Sequence, residues 1–507
     1  MGKPLVYLIG AGPGDPGLIT LKGMECVAKA DVVLYDYLVN TRLLAAARED
    51  AECIYVGKRG FDHHVKQDEI NRILVDSALE GGGRTIARLK GGDPFIFGRG
   101  GEEALALREA GIDYEVVPGV TAGYAAPAYA GIPVTYRGIS TDVAFVTGHE
   151  DPTKDASGID WEHLAGVGTI CFYMGVKNLE TIVGKLTEAG RSAETPVALI
   201  RWGTTPRQET LTGTMDDIVE KVRATGFKAP AITVVGEVVR LREQLHWFED
   251  RPLFGKTIVV TRSRAQASEL TEQLEALGAE VLEFPTIAVV DPEDWTPVDE
   301  AIKNLQVYEW VVFTSANGVD RFFDRLTLAD ADGRAFAGAR VACVGPATAA
   351  RCIDRGIRPD YVPAEYRAEG VLEGFCRRGV GDGTRVLIPR ALEAREVLPD
   401  TLRERGAMVD VVPVYRTVLG AGDEGTLHRL AEGSVDAVTF TSGSTARNFA
   451  ELIAAAGVSL TPELLVASIG PVTSEAARKL GLTVGVEAAE STIPALVRAL
   501  IERYTSS

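Results

Sequence analysis

The sequence predicts an α/β protein of more than one domain, and three observations carry that expectation. Short apolar runs alternate with helix-patterned stretches up to about residue 247. A charged segment punctuated by Pro and Gly, "FEDRPLFGK" (248–256), then interrupts the alternation. Beyond it the pattern returns as an internal repeat. The 507 residues exceed what one hydrophobic core holds, so roughly three to five units are expected.

In the first half, "LVYLI" (5–9), "DVVLYD" (31–36), "RTIARL" (84–89), "DVAFVTG" (142–148), "GTICFYM" (168–174), "PVALI" (196–200) and "AITVVGEVV" (231–239) read as strands. "EALALREAG" (103–111) and "NLETIVGKLTEAG" (178–190) read as helices stopped by their terminal glycines. In the second half, "VVTRSRAQASELTEQLEALGAEVLEFP" recurs as "LIPRALEAREVLPDTLRERGAMVDVVP". One offset maps Arg262 onto Arg390, Gly278 onto Gly406 and Pro285 onto Pro413. "VVFTSANGVDRFF" recurs as "VTFTSGSTARNFA", and "VACVGPATAARCIDRGI" as "VASIGPVTSEAARKLGL". Three blocks in the same order predict two related α/β lobes, an arrangement suited to enclosing a small ligand.

Composition narrows the function. A net charge of -18 argues against a general nucleic-acid or membrane-surface binder, so an anionic ligand would need local Arg clusters. The apolar run that opens the chain is too short for a secretory signal. The uncharged stretch Val116–Tyr136 has membrane length but contains three prolines, at 118, 127 and 133. The six cysteines form no CxxC pair, and His63 and His64 read as loop residues, so no metal site is expected. A reduced, cytoplasmic setting fits this cysteine usage.

The opening strand ends in "GAGPGDPGLIT" (10–20), which allows two readings. A dinucleotide site would use these glycines, with Asp36 at the end of the next strand as the ribose ligand. However, Asp15 and Pro16 stand where the third glycine and the helix should follow, and the next periodic stretch begins only near Thr20. "RLKGGDPFIFGRGGEE" (88–103) combines five glycines with Phe95, Phe97 and the charges of Arg88, Lys90, Asp93, Arg99, Glu102 and Glu103. Gly-Gly-Asp-Pro lets backbone approach a ligand closely, which favours a binding loop over an irregular surface loop.

These two segments, with "YDYLV" (35–39), "GKRG" (57–60), "VPGVTAGYAAPAYAGIPVTYRG" (117–138), "FYMGV" (172–176) and "ALIRWGTTPRQ" (198–208), resemble the uroporphyrinogen-III C-methyltransferases among the tetrapyrrole methylases. The resemblance runs from about Leu5 to Trp247. The second half, from about Gly255, is similar to the uroporphyrinogen-III synthases in its twin "FTS" and "GP" blocks and in "PVYRT" (413–417). The resemblance implies a methylase domain over 1–247 (subdomains about 1–117 and 118–247), a linker over 248–255 and a synthase domain over 256–507. It further implies that the synthase chain crosses between lobes, one of about 256–290 plus 416–507 and the other of about 291–415.

The implied chemistry is closure of hydroxymethylbilane to uroporphyrinogen III with inversion of ring D. Two methyl transfers at C2 and C7 follow, from S-adenosylmethionine, to give precorrin-2 on the sirohaem and cobalamin branch. By resemblance the cofactor contacts are Pro13, Gly91, Gly92, Asp93, Ile96, Thr121, Ala122, Met174 and Gly203. Asp36 would be the proton acceptor and Lys58 the donor. Arg99 is placed as a substrate or catalytic residue, with Arg137 and Glu102 on the substrate. In the synthase half Tyr415 would assist hydroxyl departure, with Arg262 and Arg390 adding charge. Thr314, Ser315, Thr441, Ser442 and Thr473 read equally as carboxylate donors and as helix N-caps. The resemblance also implies a methylase homodimer. Two rival readings remain at this point: an NAD-dependent oxidoreductase fused to a sensor, and a methylase with a non-catalytic tetrapyrrole-binding second half.

Overall fold

The structure, a computed structural model, describes residues 3–57, 66–149, 158–261 and 264–506. The chain forms two compact units, one of Met1–Ile258 with Thr271–Val281 and Leu500–Ser507, the other of Val259–Leu270 with Leu282–Ala499. No described helix is long and apolar enough to cross a membrane.

The first sheet contains β1 (Leu5–Gly10), β2 (Val32–Tyr35), β3 (Glu52–Tyr55), β4 (Thr85–Lys90) and β5 (Asp113–Val117), ordered β3-β2-β4-β1-β5. Its pairings are all parallel. Both faces are buried, as a parallel sheet with helical crossovers requires. Val6, Leu8, Val32, Leu34 and Ile86 pack into one core, and Ile9, Val33, Ala87, Leu89 and Val117 into another. That division follows the two-residue period of a strand.

The second sheet contains β6 (Val143–Thr147), β7 (Thr169–Tyr173), β8 (Pro196–Arg201), β9 (Glu209–Thr214) and β10 (Ala231–Val235), ordered β6-β7-β10-β8-β9. Only β6 and β7 pair in parallel; the other neighbours are antiparallel. The run "AITVVGEVV" is not one strand. Gly236 takes φ 153° where an added Cβ would lie 2.6 Å from the Gly168 carbonyl oxygen, and Glu237–Leu241 winds into a 3-10 helix that buries Val238 and Val239. A short apolar run has no period that separates these outcomes.

The remaining strands are β11 (Thr257–Val260), β12 (Glu280–Glu283), β13 (Ile287–Val290), β14 (Trp310–Phe313), β15 (Arg340–Cys343), β16 (Arg385–Ala391), β17 (Met408–Leu419), β18 (Ala437–Phe440), β19 (Leu465–Ser468) and β20 (Val484–Glu487). They form one sheet ordered β12-β11-β18-β19-β20 and another ordered β13-β17-β16-β14-β15. The internal repeat maps one sheet onto the other in order. β12, β11, β18 and β19 carry the blocks repeated in β17, β16, β14 and β15. Each sheet therefore joins the two copies' equivalent strands in the same lateral sequence. β13 adds an antiparallel edge beside β17.

Candidate active site

In the first unit, the loops that leave the carboxyl ends of β1, β4 and β5 meet, the address at which open α/β sheets bind ligands. Gly12 and Gly92 form an antiparallel bridge, N to O at 3.2 and 2.7 Å. A Cβ on Gly10 would lie 2.4 Å from Gly119 Cα and 2.7 Å from the Gly92 carbonyl oxygen, so three backbones touch where any side chain would force them apart. Asp93 is buried and holds the crossing: Phe95 N–H and Gly119 N–H each donate to it at 2.8 Å. A Cβ on Gly91 would meet Leu38 Cβ at 2.6 Å.

The second sheet supplies the other wall. Asp15 N–H donates to Thr204 Oγ1 at 3.0 Å, and Tyr129 donates its hydroxyl to Asp15 at 2.8 Å. Burial, then that bond to Asp15, holds the Tyr129 proton well above the ordinary tyrosine range. Asn40 Nδ2 donates to the Gly14 carbonyl at 2.8 Å. The Tyr173 hydroxyl accepts from Gly123 N–H at 2.7 Å and bonds Thr121, and the Phe97 ring lies 4.8 Å from its ring. Burial raises the Tyr173 phenol.

Of six described non-glycine residues with positive φ, five line these loops: Phe97, Arg99, Met174, Trp202 and Thr204. Each costs on the order of 1–3 kcal/mol and persists only where neighbours enforce it. Thr204 N–H donates to Gln208 at 2.9 Å, and the Arg207 guanidinium lies 4.9 Å over the Trp202 ring. Their concentration around one cleft marks a built site rather than scattered irregularity.

A charged group lies under the same loops. Arg88 and Lys90 alternate with Leu89 on β4, so they share the face that Ile86 buries against the helix Gly100–Glu109. Glu103 projects from that helix, fully buried. Its Oε1 accepts from Lys90 Nζ at 2.6 Å and Arg88 Nε at 3.2 Å, with Gln67 Nε2 at 3.4 Å. Its Oε2 has no hydrogen bond among the described residues. Arg88 Nη2 reaches Asp36 Oδ2 at 3.5 Å, and Nη1 donates to the Leu89 carbonyl at 2.8 Å. Burial lowers the Lys90 ammonium's hold on its proton and the Arg88 charge lowers it further, while Glu103 opposes both.

The other expected residues fall as follows. Pro13 and Ile96 are half-buried in the loops, Ala122 opens the helix Ala122–Tyr129, and Met174 is 51 % exposed beside them. Gly203 packs on Ala126, where a Cβ would come within 2.4 Å of the Ala126 Cβ. Arg99 forms a two-pronged pair with Glu102 at 2.8 and 2.7 Å, and Arg137 is exposed. Lys58, Arg262, His63 and His64 lie outside the described residues. Among the described residues no group of three or more His, Cys, Asp or Glu is placed to hold a metal ion.

In the second unit, Ser315 Oγ accepts from Gly318 N–H at 3.1 Å, capping the helix Ala316–Leu328, and lies 3.0 Å from the Tyr415 hydroxyl. Ser442 caps the helix Gly443–Ala455 in a reciprocal box with Thr445. Thr314 is half-buried, and Thr473 is buried in the first turn of the helix Pro471–Lys479. The half-buried Thr441 hydroxyl has no partner among the described residues. Arg390 is buried, donates to the Arg395 carbonyl at 2.9 Å and pairs with Glu396, leaving Nε unpartnered among the described residues.

The structure also brings Tyr173, Thr204, Tyr129, Lys90 and Glu103 to the first site. The alternation Ile86-Arg88-Lys90 was the available signal for Lys90, since it puts two cations on a core face. Nothing local marks Tyr129 or Thr204, whose partner lies more than a hundred residues away.

Comparison with known proteins assigns the two parts of the chain to two families. A family model described as tetrapyrrole (corrin/porphyrin) methylases matches residues 5–219, and one described as uroporphyrinogen-III synthase HemD matches residues 268–498. The porphyrin biosynthesis protein HemD of Ruminiclostridium josui is 39% identical over 504 residues, 99% of this chain and 98% of that one. The uroporphyrinogen-III C-methyltransferase of Priestia megaterium is 53% identical over 240 residues, 47% of this chain and 99% of that one. A Bacillus subtilis protein of the same name is 45% identical over 328 residues, 64% of this chain and 66% of its own. The chain therefore belongs to the HemD porphyrin-biosynthesis proteins, in which a tetrapyrrole methylase and a uroporphyrinogen-III synthase share one polypeptide.

Proposed function

We propose that this is a bifunctional enzyme of tetrapyrrole biosynthesis: it closes hydroxymethylbilane to uroporphyrinogen III and methylates that product at C2 and C7 to precorrin-2. The observation that carries this reading is the end-to-end match to one porphyrin-biosynthesis protein, with both family matches in order along the chain. The methylase would occupy 1–247 and the synthase 256–507, joined by 248–255.

The first site's residues fit S-adenosylmethionine: side-chain-free glycine backbone at 91 and 92, the partly exposed Met174 and the apolar edges of Pro13 and Ile96. Bound there, that cofactor supplies an electrophilic methyl group for attack by a pyrrole carbon. Asp93, Thr121, Ala122 and Gly203 shape the cleft that holds it. Asp36 accepts the proton that the methylated carbon releases, and Lys58 acts as the acid. Arg99, Arg137 and Glu102 orient the polyacid substrate, catalysis being chiefly positioning. In the second half Tyr415, with Ser315 beside it, assists loss of the terminal hydroxyl as water. Arg262, Arg390, Thr314, Thr441, Ser442 and Thr473 hold carboxylates while ring D inverts. The six unpaired cysteines support a cytoplasmic setting. The methylase half forms the homodimer contact.

Two assays on the full chain test the two activities separately. Uroporphyrinogen III with methyl-labelled S-adenosylmethionine should give a doubly labelled product; no label in tetrapyrrole would sink the methylase. Hydroxymethylbilane alone should give the type III isomer; only type I, which forms spontaneously, would sink the synthase.

A further inference from the structure

The Arg88–Lys90–Glu103 group has no part in the chemistry described above, yet among the described residues of the first unit it is the most deeply buried charge. Arg88 and Lys90 are 2% and 3% exposed, and Glu103 is 0%. Such a group is a poor source of stability, because apolar residues of similar volume often replace a buried ion pair without loss. Its neighbours on that face are apolar: Val6, Leu8, Leu34 and Ile86.

Its geometry leads to the site. Two cations share a single oxygen of Glu103, and the second oxygen makes no hydrogen bond among the described residues. Two cations facing one carboxylate leave a surplus positive charge, and the carboxylate that completes the formal balance is Asp36, 3.5 Å from Arg88 Nη2. Register explains the meeting. Leu34 on β2 pairs with Arg88 on β4, and Asp36 follows two residues later on the same face. Lys90 is adjacent in sequence to Gly91 of the cofactor loop, so the group joins the two sides of the reacting centre.

We propose that Lys90 and Glu103 are positioning residues for methyl transfer: through the shared Glu103 oxygen they fix the Arg88 guanidinium, which in turn holds Asp36 in place at the end of β2. This rests on the reading of Asp36 as the proton acceptor. A fixed fork holds one carboxylate orientation, whereas a freed guanidinium at 3.5 Å does not.

The test is the full chain carrying Lys90→Met with Glu103→Leu, which removes one cation and one anion together and leaves no unpaired charge. Glu103→Gln is the single variant, and Lys90→Arg the conservative control. The expected double variant binds S-adenosylhomocysteine in calorimetry as the parent does and keeps its KM for uroporphyrinogen III. Its kcat for methylation falls about 10- to 100-fold, the scale of a misplaced reacting group. Lys90→Arg retains most of kcat, and Glu103→Gln falls with the double variant. Parental kcat in the double variant overturns the proposal. So does a fall in kcat matched by an equal fall in S-adenosylhomocysteine affinity, since the pair would then be building the pocket as a whole. A parent protein that transfers no methyl to uroporphyrinogen III fails the functional reading itself, an outcome visible before any variant is made.

Discussion

Both halves set their candidate residues just beyond strand ends, and they use them in opposite ways. After β1, β4 and β5 the chain spends few side chains on its own structure. Glycine backbones touch, Phe97 and Arg99 take positive φ as Met174, Trp202 and Thr204 do after β7 and β8, and the carboxylate of Asp93 locks the crossing. After β14 and β18 the equivalent "FTS" blocks spend their serines on helix caps, Ser315 for Gly318 and Ser442 for Thr445. A strained, glycine-lined crossing has no evident purpose except to present backbone to a ligand. A capped helix needs no ligand to explain it. The first half's candidate residues thus stand out by what their backbone endures, and the second half's candidates are residues that also serve the fold.

The largest effect expected from this contrast is at Asp93. Asp93→Ala removes the acceptor of two loop N–H groups, and methylation should fall on the order of 100-fold or more, with cofactor affinity falling in step. The synthase rate should not change. Steady-state assays of both activities on the one variant decide it, and equal loss of both would erase the contrast between halves.

Gly10→Ala comes next. The added Cβ would sit 2.4 Å from backbone, so the variant should lose about 1–3 kcal/mol of stability in denaturant unfolding, together with cofactor binding. An unchanged midpoint would mean that the three backbones are not in contact.

In the second half the expected effects are smaller and divide the two serines. Ser315→Ala and Ser442→Ala should each cost about 1 kcal/mol as lost caps. Only Ser315→Ala should also slow the synthase, because Ser315 alone lies 3.0 Å from the Tyr415 hydroxyl. If Ser442→Ala slows ring closure as much, the second site is not centred on Tyr415.

The smallest effect is a pH dependence. Tyr308 donates its hydroxyl to Asp410 at 2.7 Å; burial first, and then that carboxylate, raise its proton affinity above the ordinary value of 10.0. A folded value above the unfolded one means the contribution is complete below about pH 10 and is lost as pH rises further. Tyr308→Phe should therefore lose less stability than the parent as pH rises from about 10 to about 11 in thermal melts. A parallel decline in both proteins would contradict that assignment.

The strand–helix alternation and the internal repeat were legible because each rests on local period and spacing. The α/β architecture follows from them, and the repeat reappears as two sheets with the same lateral order. The antiparallel neighbours of the second sheet were not legible, since period 2 is the same in both pairings. In the site, the Gly-rich loops and Asp36 stand out because glycine density and strand-end acids are local signals. The Asp15–Tyr129 bond, 114 residues apart in sequence, depends on tertiary docking that no window contains. The two-residue period puts Lys90 on the face of Arg88, but only the packing of the helix Gly100–Glu109 brings Glu103 to them.

One polypeptide performs two consecutive reactions. The direct measurement is a single incubation of the purified full chain with hydroxymethylbilane and methyl-labelled S-adenosylmethionine, with no added synthase. The expected product is a type III tetrapyrrole carrying two labelled methyl groups. Labelled product confined to type I tetrapyrrole, or type III product with no label, would contradict it.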